Sequence, residues 1–217
     1  MAPLAVDCVA VRPLTLMARS YRTQKPSVLA KTRVPRTDDG AVVLPRIIER
    51  KPRLGDSHPL SRRSLAKLLS NAPVEYLFGL ERIELRARMG STVGEPFGKY
   101  LRDERAIILY SLPSHWVWPP VTSTSPLIVR MRQFFAEVEI RDNATYVSWP
   151  VPEVRMMWFY VEVLAHELGH HYRHQYRNRR KRAGSREEEL IAALHSSRFY
   201  RDLVRRIQRL ETRPDVV

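Results

Sequence analysis

The chain contains one cysteine, Cys8. That excludes an internal disulfide framework and a structural zinc site built from thiolates, and it fits a reducing compartment. Long apolar runs are missing too. The most apolar stretch, Tyr160 to Leu168, is interrupted by Glu162, His166 and Glu167. It falls well short of the roughly 20 residues a membrane-spanning helix needs, so no membrane span is expected. Acidic residues are scarce: 23 Asp and Glu stand against 37 Lys and Arg, for a formal net charge of +14 and a pI near 10.5. Such a surface suits an acidic partner or nucleic acid, and serves equally to keep a protein soluble. The tightest basic cluster is Arg177, Arg179, Arg180, Lys181 and Arg182. It reads as a connecting loop, without the interleaved aromatics that single-strand binders use. The hydrophobic content of 44% in 217 residues is enough for one domain with a proper core.

Residues 1–59 show no sustained periodicity and hold Pro3, Pro13, Pro26, Pro35, Pro45, Pro52 and Pro59. They read as a basic, Pro-rich extended or disordered arm, ahead of a folded domain over residues 60–217. The first thirty residues are basic and nearly acid-free, the composition of an organellar transit peptide. Asp7 and the prolines oppose the amphipathic helix such a peptide needs, and Arg12 and Arg19 break any secretory apolar core. A cytoplasmic location is expected, with organellar targeting through the arm as the alternative.

Within the domain, Ser61 to Asn71 reads as a short helix with Leu65, Leu68 and Leu69 on one face. Glu81 to Arg88 alternates strictly, turning Ile83, Leu85 and Ala87 one way and charges the other, as a half-buried strand does. Ala106 to Ser111 reads as a more apolar, central strand. Gly90 to Gly98 reads as a turn region and Leu112 to Ser125 as a long loop. Ala136–Arg141 and Thr145–Trp149 alternate again around Asp142-Asn143-Ala144, a hairpin signal. Either arm of that hairpin is expected to offer a sheet edge to an extended ligand. Phe199, Tyr200, Leu203, Val204, Ile207 and Leu210 continue a helical pattern to the C-terminus.

One stretch carries chemistry. His166-Glu167-Leu168-Gly169-His170 is an H-E-x-x-H motif in an apolar helical run. Residues four apart on a helix share a face, so His166 and His170 can offer two imidazole nitrogens to one zinc ion. Glu167, one step round the cylinder, takes the place of a general base rather than a ligand. Gly169 costs about 1 kcal/mol against Ala in a helix. Its presence makes sense if something must approach the backbone closely.

A catalytic zinc needs a third protein ligand and an open fourth position. His174 is unsuitable, because it lies eight residues from His166, about 12 Å along the axis. Arg173 and Tyr176 stand where the metzincin pattern requires Gly and His. A downstream carboxylate remains, and Ser185 to His195 supplies Glu187, Glu188 and Glu189 on a new helix. If Ser185 is the N-cap and Glu188 closes a capping box, Glu189 is the better placed ligand, with Glu188 as the alternative. Ala192, Ala193 and Ser196 follow, small enough to let two helices pack closely.

His166-Glu167-Leu168-Gly169-His170 followed by Glu189-Leu190-Ile191-Ala192 resembles the gluzincin metallopeptidases, especially the compact minigluzincin and ImmA/IrrE-like proteins. The resemblance covers about Ala106 to Tyr200. It implies a zincin-like α+β domain, with a sheet of three to four strands packed on the H-E-x-x-H helix and a Glu-bearing helix after it. It also implies a zinc-dependent hydrolase of peptide or protein substrates, with Zn2+ on His166, His170 and Glu189 and Glu167 activating water. These families often place Asp or Asn four residues after the ligand Glu, where this chain has Ala193. His195, Tyr200 and Tyr172 are candidates for stabilising the oxyanion. The reading from a different class is a zinc-containing regulatory or nucleic-acid-associated binding protein with little proteolytic activity. An intact Glu167 speaks against it, since a structural zinc site needs no base.

Overall fold

The structure, a computed structural model, describes residues 43–89, 96–113, 115–176 and 185–211, with backbone alone at 185, 203, 204 and 206–211. These residues have a mixed α+β architecture and fall within one unit, Arg33–Val217. Strands β1 (Arg46–Glu49) and β2 (Asp56–Ser57) come from the stretch expected to be an arm. Pro45, Pro52 and Pro59 flank these strands rather than interrupt them, and β1 is an edge strand, where neighbouring prolines are tolerated. The boundary expected at Pro59 therefore moves back to residue 46 or earlier. Residues 1–42, with the expected transit-like segment, lie outside the described residues.

Helix α1 (Arg62–Ser70) starts where expected: Ser61 Oγ accepts the Ser64 amide at 3.1 Å, and Leu65 and Leu69 are fully buried. After a 3₁₀ turn (Val74–Tyr76) comes β3 (Arg82–Arg86), whose Ile83 and Leu85 face the core. On its other face Glu84 is only 4% exposed, because Arg82 and Arg86, its i±2 neighbours, close over it. Arg82 Nε donates to one carboxylate oxygen at 2.6 Å and Arg86 Nε to the other at 2.7 Å. Strand β4 (Gly98–Leu101) follows in what was expected to be a turn region, and β5 (Ala106–Tyr110) is buried at all five positions. The sheet order is β1-β3-β5-β4, with β1, β3 and β5 parallel and β4 antiparallel on the edge. The central placing of β5 agrees with its apolar sequence.

The expected long loop holds two short strands, β6 (Leu112–Pro113), paired with β2, and β7 (Trp116–Trp118). Helix α2 (Pro126–Gln133), with Pro at its first turn, was not apparent in the sequence. Strands β8 (Glu137–Arg141) and β9 (Ala144–Ser148) form the expected hairpin. Asp142 and Asn143 both take positive φ, 48° and 58°, as a two-residue type I′ turn requires. The hairpin belongs to a separate sheet of order β7-β9-β8, so β9 is a central strand and offers no edge.

Pro152 to Tyr176 run as helix α3 (Pro152–Phe159), a π-helical turn (Tyr160–Leu164) and helix α4 (Ala165–Tyr176). The Ala165 amide donates to the Tyr160 carbonyl, the five-residue step of a π turn. Trp158, Phe159, Leu164 and Leu168 are at most 1% exposed and share one core with Ile83, Leu85, Ile107 and Leu109. Helix α5 (Ser185–Glu211) is a single 27-residue helix anchored by the fully buried Phe199. Among the described residues no helix is long and apolar enough to cross a membrane. The basic cluster from Arg177 to Arg182 lies outside the described residues.

Candidate metal centre

Helices α4 and α5 meet at Gly169 and Ala192. A Cβ on Gly169 would lie 2.5 Å from the Ala192 carbonyl oxygen, so only glycine permits this approach. His166 lies one turn before Gly169, and Glu189 one turn before Ala192. The backbone contact therefore sets the two side chains opposite each other. His166 Nε2 is 3.1 Å from Glu189 Oε2 and 3.1 Å from His170 Nε2, and His170 Nε2 is 3.5 Å from Glu189 Oε1. The three residues are the one group of metal-ligand type found among the described residues.

The arrangement fits a zinc ion on two counts. Tetrahedral zinc with N and O ligands at about 2.0–2.2 Å puts its ligand atoms about 3.3–3.6 Å apart. Here the two imidazole nitrogens are 3.1 Å apart, each has a Glu189 oxygen within 3.5 Å, and one ligand atom from each of the three residues lies within 4.8 Å of the others. Two imidazole nitrogens at 3.1 Å also need a proton or a cation between their lone pairs. Burial, and then the neighbouring His166, hold His170 below the usual histidine range, which favours the neutral form a ligand needs. Glu188 lines the same cleft, but its carboxylate is not in the cluster. The expected capping box involves the side chain of Ser185 and lies outside the described residues. His174 is outside the cluster, as its spacing requires.

Glu167 is 8% exposed. Burial pushes its carboxyl up to about 7; a hydrogen bond from the Tyr100 backbone opposes the shift, and the charge of Glu189 adds to it. The bond to Tyr100 follows from the sheet. The Tyr110 amide donates to the Phe97 carbonyl at 3.0 Å. In an antiparallel ladder alternate residues face the partner strand, so Gly98 and Tyr100 turn their backbone groups outward. Strand β4 thus forms the edge above α4, where sequence alone pointed to the hairpin. Gly98 lets it lie low: a Cβ there would come 2.8 Å from Val163 Cγ1 and 3.1 Å from Glu167 Cγ. A short strand with no alternating pattern hides this role in the sequence, and the glycine is its one signal.

The Tyr100 side chain ties the strand to the helix again. His171 is fully buried, and burial pushes it down to about 4, so its imidazole is neutral. Its Nε2 lies 2.9 Å from the Phe78 carbonyl, which can only accept, so Nε2 carries the proton. His171 Nδ1 then accepts the Tyr100 hydroxyl proton at 3.2 Å, and His174 Nδ1 donates to the Tyr100 oxygen at 2.9 Å. The result is a directed chain from His174, which lines the cleft, through Tyr100 to His171 and Phe78.

The expected oxyanion candidates lie elsewhere. His195 packs against Tyr172 with ring centroids 4.5 Å apart, and Tyr172 against Tyr76 at 4.7 Å. Burial pushes His195 down to about 4. Neither these residues nor Tyr200 line the cleft, a volume of about 920 Å³ whose walls include Lys99, Arg102, His174 and Arg173 beside the cluster. No protein-family model, curated protein or solved structure matches this chain.

Proposed function

We propose that this protein is a zinc-dependent peptidase of gluzincin type. His166, His170 and Glu189 hold the metal, and Glu167 is the general base. The observation that carries this reading is the meeting of three ligand-type side chains, with the two imidazole Nε2 atoms 3.1 Å apart and each within 3.5 Å of a Glu189 carboxylate oxygen, beside a buried carboxylate. When bound, zinc polarises the scissile carbonyl and makes a water molecule acidic near neutral pH. A Glu167 carboxylate oxygen takes the proton of the attacking water and returns it to the amide nitrogen as the C–N bond breaks. The Tyr100 amide fixes that carboxylate in place. Burial favours its protonated form, and a nearby dication favours the ionised one, which keeps the base poised. The outward groups of Gly98 and the Tyr100 carbonyl receive an extended peptide as an added strand. Lys99, Arg102 and His174, on the cleft wall, replace His195, Tyr172 and Tyr200 as the groups to test for oxyanion stabilisation.

The test compares wild type with Glu167→Gln, which keeps side-chain shape and removes the carboxylate. Zinc content and melting temperature should hold, while cleavage of an unstructured protein should drop about 10²–10⁴-fold. Equal activity in the two proteins overturns the mechanism. No activity in either, with full zinc and an intact fold, favours the regulatory binding protein, which salt-dependent binding to nucleic acid then tests.

A further inference from the structure

A second cavity, about 240 Å³, adjoins the cleft beyond the start of β4. Pro96 and Phe97 line both spaces. Four aromatic side chains, Phe97, Tyr110, Trp116 and Trp118, line the cavity together with Arg88 and Ser111. Phe97 stacks on Trp116 at 5.2 Å, and Trp116 meets Trp118 at 5.1 Å. Behind the cavity Trp116 is braced by Trp149 and Trp158, with centroids 5.1 and 5.6 Å away. The wall is therefore built into the core rather than free to collapse.

Three polar side chains of the wall, those of Trp116, Ser111 and Arg88, already have partners. Trp116 Nε1 donates to the Pro113 carbonyl at 2.8 Å. Asp56 accepts from Ser111 Oγ at 3.1 Å and from Arg88 Nε at 2.9 Å. An apolar guest leaves none of these groups unpaired, and Arg88 is held at the wall where a guanidinium can meet a ring face. A cavity of about 150 Å³ lined by apolar side chains already holds a benzene ring, so the space here admits an aromatic side chain. An extended peptide rises about 3.3 Å per residue, so a chain on β4 reaches the cavity one to three residues from the point above Glu167.

We propose that this cavity is a specificity pocket for an aromatic side chain of the peptide laid along β4, one to three residues from the bond that is cut. The proposal rests on the peptidase reading above. The first experiment sequences the products of a random peptide library cleaved by the zinc-loaded full chain. Phe, Tyr or Trp should be enriched at one position within three residues of the cut. The ratio of kcat/KM for a peptide with Phe there to its Ala counterpart should be at least about tenfold. That ratio should collapse towards one in Trp118→Ala, which removes a wall, and in His115→Trp, which adds bulk at an exposed lining residue. Two variants of opposite sense guard against misfolding of either one. Cleavage without aromatic enrichment overturns the proposal.

The second experiment needs no turnover. N-acetyl-phenylalanine amide should bind Glu167→Gln saturably, read by tryptophan fluorescence, and N-acetyl-alanine amide should not. Binding of the phenylalanine probe should be lost when Trp118→Ala is added. If no library peptide is cleaved, the peptidase reading fails, and this probe decides the pocket alone. Equal response to the two probes overturns it.

Discussion

Gly169 on α4 and Ala192 on α5 touch backbone to backbone, so that a single added methyl group on Gly169 would collide with a carbonyl oxygen 2.5 Å away. Helix propensity favours Gly169→Ala by about 1 kcal/mol. We predict the opposite outcome: α5 is pushed off, Glu189 leaves the histidine pair, and zinc affinity falls roughly 10–100-fold, as for other groups that position a ligand. Titration with zinc against a competing chelator measures this. Unchanged affinity would mean that the helix contact does not set the ligand geometry.

Glu189→Ala should lose zinc, and Glu188→Ala should retain it. Both carboxylates face the cleft, but only Glu189 shares the cluster with His166 and His170. Elemental analysis of the two variants, with His170→Ala as a further control, decides between them. Retention by Glu189→Ala with loss by Glu188→Ala would reverse the assignment.

Deletion of residues 1–42 should leave zinc stoichiometry and thermal unfolding intact, whereas deletion to Pro59 should abolish cooperative folding. The longer deletion removes β1 and β2 from their sheets. It also removes Glu49, which accepts the Arg62 amide at 3.1 Å, and Asp56, which holds Arg88 and Ser111. A folded, zinc-loaded protein starting at residue 60 would refute this.

Glu84 predicts an acid-sensitive step. The Arg82 hydrogen bond, with help from Arg86 and against burial, holds its carboxyl below the ordinary carboxylate range. A lowered folded-state pKa contributes stability that is complete above the unfolded value, about 4.3, and is lost as pH falls through the folded one. Glu84→Gln should lower stability at pH 7 by about 1.5–3 kcal/mol, the worth of hydrogen bonds to a charged group. It should also flatten the fall in stability below pH 4. Chemical denaturation at several pH values measures both, and parallel pH profiles for wild type and variant would contradict the assignment.

The elements legible in the sequence are those in which one physical rule acts locally. Ser61 and its leucines announce α1, the alternation at Ile83 and Leu85 announces β3, and Asp142-Asn143 announces the hairpin. His166, Glu167 and His170 are legible because helical spacing alone puts the two histidines on one face. What could not be read depends on partners far along the chain. Gly98–Leu101 is a strand only because β5 accepts it, and Tyr100 meets Glu167, His171 and His174 only because that strand crosses α4. The prolines around β1 and β2 suggested an unpaired arm, since sequence does not distinguish an edge strand from an extended tail. His195 and Tyr172 look like cleft residues by distance along the chain, yet they pack on each other and do not line the cleft.

The π turn at Tyr160–Leu164 divides one long helix into two segments with separate rotational phase. A one-residue insertion rotates everything after it by about 100° relative to an unbroken α-helix. Trp158 and Phe159 are keyed to the core on one phase, and His166 and His170 to the cleft on another. Removing one residue from the turn would therefore do more than shorten the helix. It would swing the imidazole pair, and the buried Leu168 between them, by about 100° round the cylinder relative to Trp158 and Phe159. The same rotation would carry the fully buried Leu168 and His171 out of the core and Gly169 off Ala192, so the turn fixes, with one inserted residue, the phase on which both the packing of α4 and the aim of its histidines depend.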